Sequence, residues 1–119
     1  MVTVMLKQIL EEFLSIDGVI AGAVVGRDGF VIDIAGKQPV DNDALGALGS
    51  SSMRFFDLGG YSMEMGAVRQ LAMEYRGGAI IFTPITSDEF LAVITDSRAA
   101  MGRVSYALEK TRERVAAVM

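Results

Sequence analysis

The chain has 119 residues, 51% of them apolar, with 11 basic and 15 acidic side chains and a formal net charge of −4. That length supports one hydrophobic core, so a single domain over 1–119 is expected. Cysteine and histidine are both absent, which removes disulfides, thiolate and imidazole catalysis, and most zinc and copper sites.

The spacing of Leu6, Ile9, Leu10 and Phe13 predicts a first helix over about Val4–Leu14, ended by Asp17-Gly18. Two strands follow around a tight turn. In the first, Val19 to Val25, Val19, Ala21, Ala23 and Val25 share one face and Ile20, Gly22 and Val24 the other. Both faces are apolar or small, as in a central strand. Gly22 and Gly26 fall on one face, where a missing side chain admits close approach by another element. Arg27-Asp28-Gly29 supplies the positive φ of a hairpin turn. The second strand, Phe30 to Ala35, sets Phe30, Ile32 and Ile34 against Asp33 and reads as an edge.

Asp41 or Asp43 caps a middle helix reaching about Leu58, where Gly59-Gly60 stops it. At 100° per residue, Leu45, Leu48, Ser52, Phe55, Phe56 and Gly59 are assigned to the sheet. A second stripe holds Ala44, Ala47, Ser51 and Leu58, and the outer side carries Ser50, Arg54, Asp57 and Tyr61. Gly46, Gly49 and three consecutive serines make this a weak helix by propensity, so something must lie close to its backbone. A third strand, about Ala67–Tyr75, places Arg69, Leu71, Met73 and Tyr75 on one face and is the other edge. Tight turns lead to a fourth strand (Ala79–Pro84) and a fifth (Phe90–Thr95), both nearly apolar throughout. Asp96-Ser97 caps a last helix with a stripe of Met101, Val104, Leu108, Val115 and Val118.

The expectation is an α+β fold, α-β-β-α-β-β-β-α. Its five-stranded antiparallel sheet takes the order 2-1-5-4-3, with one helix on one face and two on the other. The mixed edge strands and apolar middle strands give that order.

The chemical motifs are weak. Asp41-Asn42-Asp43 with Gly46 starts like a calcium loop but has Ser52 where an acidic ligand is required, so a helix cap explains it better. Gly36-Lys37 lacks the leading glycine and the following Ser or Thr of a phosphate loop. No catalytic, cofactor or metal site is expected, and the chain is read as no enzyme. Arg27 and Arg76 lie at turns and Arg54 on the outer face of the middle helix, so each could reach a partner. The acidic balance argues against nucleic acid as the main partner. No apolar run approaches the roughly 20 residues of a membrane span, and the first seven residues do not read as a signal peptide, so the expected location is cytoplasmic. The apolar surplus on so small a domain predicts burial in an oligomer, and an apolar edge carrying Leu71, Met73 and Tyr75 invites pairing.

Four segments together resemble the Roadblock family, known from dynein light chains and from bacterial and archaeal regulators of Ras-like GTPases. They are DGVIAGAVV (Asp17 to Val25), RDGFVI (Arg27 to Ile32), PITSDEFLAVI (Pro84 to Ile94) and the closing helix with Met101-Gly102. The resemblance spans nearly the whole chain and agrees with the strand order read above. It implies a homodimer whose third strands pair into one sheet, with the middle helices side by side. Ala44, Ala47, Ser51, Leu58, Leu71, Met73 and Tyr75 are the expected dimer interface. It also implies a Ras-like small GTPase as partner, expected at Arg54, Asp57 and Tyr61. Two other readings stay open: a structural dimeric adaptor, and a profilin- or PAS-like sensor holding a small ligand between sheet and middle helix near Ser52.

Overall fold

The computed structural model describes residues 2–119. Its elements are α1 (Val2–Glu12), a 3-10 turn (Phe13–Ser15), β1 (Val19–Gly26), β2 (Val31–Gly36), α2 (Asn42–Ser62), β3 (Leu71–Tyr75), β4 (Gly78–Pro84), β5 (Glu89–Asp96) and α3 (Met101–Val118). The strands form one antiparallel sheet in the order β2-β1-β5-β4-β3, as the burial pattern predicts. α1 and α3 cover one face and α2 the other.

The two faces have separate cores. On the α1/α3 side, Leu6, Ile9, Leu10 and Phe13 meet Val24, Ile81, Leu91 and Val93, closed by Val104, Leu108 and Val115. Burying one such side chain contributes about 1.5–3 kcal/mol, so the stripe read from the sequence is what holds α1 down. Gly22 faces this helix: a Cβ there would lie 3.3 Å from the Phe13 ring. Gly26 differs, because its absent side chain makes room for its own hairpin, where the Asp28 carboxylate would be 2.5 Å away. On the α2 side the core is Ala23, Val25, Leu45, Met53, Phe82, Phe90 and Ala92, with the Phe82 and Phe90 rings edge to face at 5.3 Å.

Two bulges shift the expected faces. A register shift between Val19 and Ala21 moves Val19 to the α1/α3 core, away from Ala23 and Val25. A second, between Val24 and Val25, pairs Val31 with Val25; Ile32 therefore drops out of register and is exposed. The extra residue of a bulge reverses alternation, which residue spacing alone cannot reveal. β2 is an edge strand as expected, with Asp33 turned toward α1, where Lys7 Nζ lies 3.3 Å from its carboxylate.

Two helix boundaries and one strand boundary depart from the sequence reading. α2 runs on through Gly59-Gly60 to Ser62, and the left-handed residue beyond it is Glu64, at φ 60°. The two glycines do not terminate it, because Gly60 serves the chain reversal instead: its carbonyl accepts from the Met65 and Gly66 amides. β3 begins at Leu71 rather than near Ala67, because the Val68 amide donates to the Asp57 carboxylate instead of to a neighbouring strand. α3 begins at Met101 behind Ala100 with no side-chain cap, and the Asp96 carboxylate accepts from the Arg98 amide in a turn of its own.

Candidate interaction surface

α2 is rotated from its expected setting. Its buried arc is Leu45, Gly46, Gly49 and Met53, while Phe55, Phe56, Leu58 and Gly59 are exposed. The glycines explain the rotation. A Cβ on Gly46 would overlap the Gly29 carbonyl oxygen, and one on Gly49 would stand 2.5 Å from the Phe90 ring. The helix therefore seats its glycines on the β1–β2 hairpin and the sheet, and its large apolar residues are turned outward. Gly29, at φ 94°, is the left-handed residue that the Asp28-Gly29 turn requires.

Asp57 lies at the edge of the buried arc, not on the outer side. One carboxylate oxygen accepts from Arg27 Nη1 at 2.9 Å and the other from the Val68 amide at 2.8 Å. Ser50 also turns inward, donating to the Arg27 carbonyl at 2.6 Å. Arg27 is thus held at the hairpin by α2, which removes its guanidinium from free reach of a partner. Arg54 and Arg76 are exposed, as is Tyr61.

The outward surface of α2 carries the stripe of Ala44, Ala47, Ser51 and Leu58, joined by Phe55. It continues past the helix end, with Phe55 69%, Leu58 67%, Tyr61 63%, Met63 71% and Met65 80% exposed. Isolated apolar side chains on a surface are ordinary, whereas a run of neighbouring ones makes this face the candidate interaction surface. The run from Met63 to Met65 escaped the periodicity argument because it lies beyond the expected helix end.

β3 is the other open element. Leu71 and Met73 are half-buried against the α2-side core and Tyr75 is exposed, while the outer backbone edge of the strand has no neighbour among the described residues. The two sheet edges differ in how they are defended. β2 has a bulge and an inward-turned charge, two devices that discourage pairing with another chain. β3 is regular over its five residues and pairs in unbroken register with β4.

Small-ligand binding between α2 and the sheet finds little space. Met53, Phe82 and Phe90 are fully buried there, and Gly49 is packed on the Phe90 ring. No group of three or more acidic, His or Cys side chains able to hold a metal occurs among the described residues. Among them no helix is long and apolar enough to cross a membrane.

No protein-family model matches the chain. An uncharacterized protein of Methanocaldococcus jannaschii is 25% identical over 114 residues, spanning 96% of this chain and 99% of that protein. Among solved structures, the gliding protein MglB from Thermus thermophilus superposes with a TM-score of 0.90 at 16% identity, covering 98% of this chain and 90% of that one. An MglB in a tetrameric arrangement gives 0.91 at 17% identity, over 98% and 89%. A Roadblock/LC7 domain from Streptomyces avermitilis gives 0.84 at 20% identity, over 92% of each chain. The chain has the Roadblock/LC7 fold.

Proposed function

We propose that this protein is a non-catalytic homodimer that regulates or positions a Ras-like small GTPase. The observation that carries the reading is the contrast between the two sheet edges: β2 is defended against pairing and β3 is open and regular, beside an exposed apolar helix face. Pairing of two β3 edges would extend the sheet through Leu71, Met73 and Tyr75 and set the two α2 helices, with Ala44, Ala47, Ser51 and Leu58 on their outer faces, on the same side of the joined sheet. The GTPase partner is drawn from the resemblance of the sequence to Roadblock-type regulators, supported by the fold. A chain with no histidine, cysteine or complete phosphate loop suits a supporting role better than hydrolysis of its own.

Within the set of Arg54, Asp57 and Tyr61, Arg54 and Tyr61 are the side chains free to meet the GTPase. Asp57 acts from beneath, holding Arg27 and the chain entering β3 in place. The test is a titration with a Ras-like GTPase from the same genome, loaded with GDP or with a non-hydrolysable GTP analogue. Regulation predicts a preference for one nucleotide state and weaker binding by Arg54→Glu. Equal binding in both states would assign the protein to the adaptor class, and absence of binding to any such GTPase would remove the proposal.

A further inference from the structure

The face of the sheet away from α2 carries a groove of its own. It runs between the end of α1 and the middle of α3 and holds about 490 Å³. Its floor is apolar, made by the buried Phe13 ring with half-buried Ile16 and Ala107. Its α3 wall is cationic. Lys110 lies over the Tyr106 ring, with Nζ 4.9 Å from the ring centroid, and Arg114 stands one turn further along. The sequence sorts charge along α3 in the same sense. Arg103, Ala107, Lys110 and Arg114 recur at i, i+4, i+7 and i+11 and so share one flank. Glu109 and Glu113 fall about 110° round the helix at 3.6 residues per turn, and Glu109 already accepts from Arg69 at 3.2 Å. On the basic flank Arg114 is held by Glu12, whereas Arg103 and Lys110 have no ion-pair partner among the described residues.

We propose that this groove is a docking site for an acidic, amphipathic peptide segment of a second protein. Such a segment sets a large apolar side chain on Phe13, Ile16 and Ala107 and its carboxylates against Lys110 and Arg103. Charge complementarity is the argument. Between Arg98 and Met119 lie five of the chain's 11 basic residues and only two of its 15 acidic ones. A net positive helix on a chain of net charge −4 attracts acidic groups at one place and repels them elsewhere, which orients an acidic partner. Arg103 and Lys110 are two helical turns apart, roughly 10 Å, the spacing of carboxylates two turns apart on a helical segment. The floor adds what charge alone lacks, since apolar burial in a concave site fixes position while rim charges steer. Ala107 keeps that floor open, because a larger side chain there would stand in the groove. A flat anionic membrane cannot reach a floor recessed between two helices, and the acidic balance of the chain opposes nucleic acid. α2 covers the other face and β3 lies at the sheet edge, so the inference is independent of the homodimer and GTPase proposed above.

Panning a display library of random peptides about 12 residues long, which span ~18 Å as helices, tests the groove directly. Wild-type protein is the bait, and the Arg103→Glu/Lys110→Glu double variant removes sequences that bind elsewhere. Both side chains are exposed, so the double variant should keep the wild-type far-UV circular dichroism and melting temperature. Enriched peptides should carry acidic residues and at least one large apolar one. Labelled with a fluorophore, they should bind wild type at least about ten-fold more tightly than the double variant in anisotropy titrations. Ala107→Leu, which fills the floor without changing charge, should weaken them by a similar factor. No enrichment, or enrichment of neutral or basic sequences, would overturn the proposal. Unchanged binding by Ala107→Leu would also overturn it, since charge attraction without the groove would then account for the affinity. Equimolar phosphatidylserine–phosphatidylcholine vesicles and duplex DNA, offered in parallel, should not bind. Binding to either that the double variant abolishes would reassign the basic flank to that partner and overturn the peptide site.

Discussion

Asp57 spends both carboxylate oxygens inside the molecule, tying the β1–β2 hairpin to α2 and α2 to the chain entering β3. Its side chain is 17% exposed and that of Arg27 31%, so the pair is partly shielded from solvent. Removing the carboxylate strands a guanidinium and an amide together. Hydrogen bonds to charged groups contribute about 1.5–3 kcal/mol, so Asp57→Ala should lower unfolding free energy by that amount in a urea titration. Arg54→Ala, on the exposed side, should stay within about 0.5 kcal/mol of wild type. Equal effects at the two positions would contradict the inward role of Asp57. Adjacent glycines give a sharper contrast. A Cβ on Gly59 meets nothing within 4 Å, whereas one on Gly60 would overlap the Gly66 carbonyl oxygen. Gly59→Ala should stabilise by roughly 0.5–1 kcal/mol through helix propensity. Gly60→Ala should cost about 1–3 kcal/mol through overpacking. Thermal melts of the two variants should move in opposite directions, and a shared direction would contradict the turn geometry.

At the level of elements, the helices and strands whose apolar spacing was regular were legible in advance. The stripe of Leu6, Ile9, Leu10 and Phe13 is buried as read, and the fully apolar β4 and β5 are central as read. The rotation of α2 was not legible from hydropathy, because glycine carries little weight in an apolar periodicity and yet marks the closest packing. Gly46 and Gly49, three residues apart between Leu45 and Met53, were the signal available. Phe55 and Phe56 drew the assigned face away from it. The bulges at β1 and β2 likewise depend on pairing partners that spacing does not contain. A different kind of contact joins α1 to α3, where the Arg114 guanidinium donates to both Glu12 oxygens at 2.9 and 2.7 Å. Hydrogen bonding to Arg114 holds the Glu12 carboxyl below its ordinary value. A carboxyl depressed in the folded state stabilises fully above its unfolded value and loses that contribution as pH falls through the folded one. Both side chains are about half exposed, so the contribution is small, about 0–1 kcal/mol. Arg114→Ala should return the Glu12 titration, followed by NMR, to the ordinary carboxylate range and should destabilise more near neutrality than in strong acid. An unmoved titration would contradict the pairing.

The whole molecule presents one protected flank and one open one, and the proposed function follows from the open one. Sheet order and the identity of both edges were legible from which strands carried polar residues. What differed was the surface beside the open edge, since its largest exposed side chains lie at the end of α2 and beyond it. Charge placed in a paired edge opposes association, so Met73→Lys should shift the protein toward monomer in sedimentation without unfolding it. Two copies related by an axis at β3 would present a composite surface to a single partner, which fixes a stoichiometry. The most direct measurement is the mass of the complex by light scattering, with the Ras-like GTPase bound in its preferred nucleotide state. The account predicts two copies of this chain with one GTPase. A complex of one chain with one GTPase, or a chain that remains monomeric throughout, would contradict it.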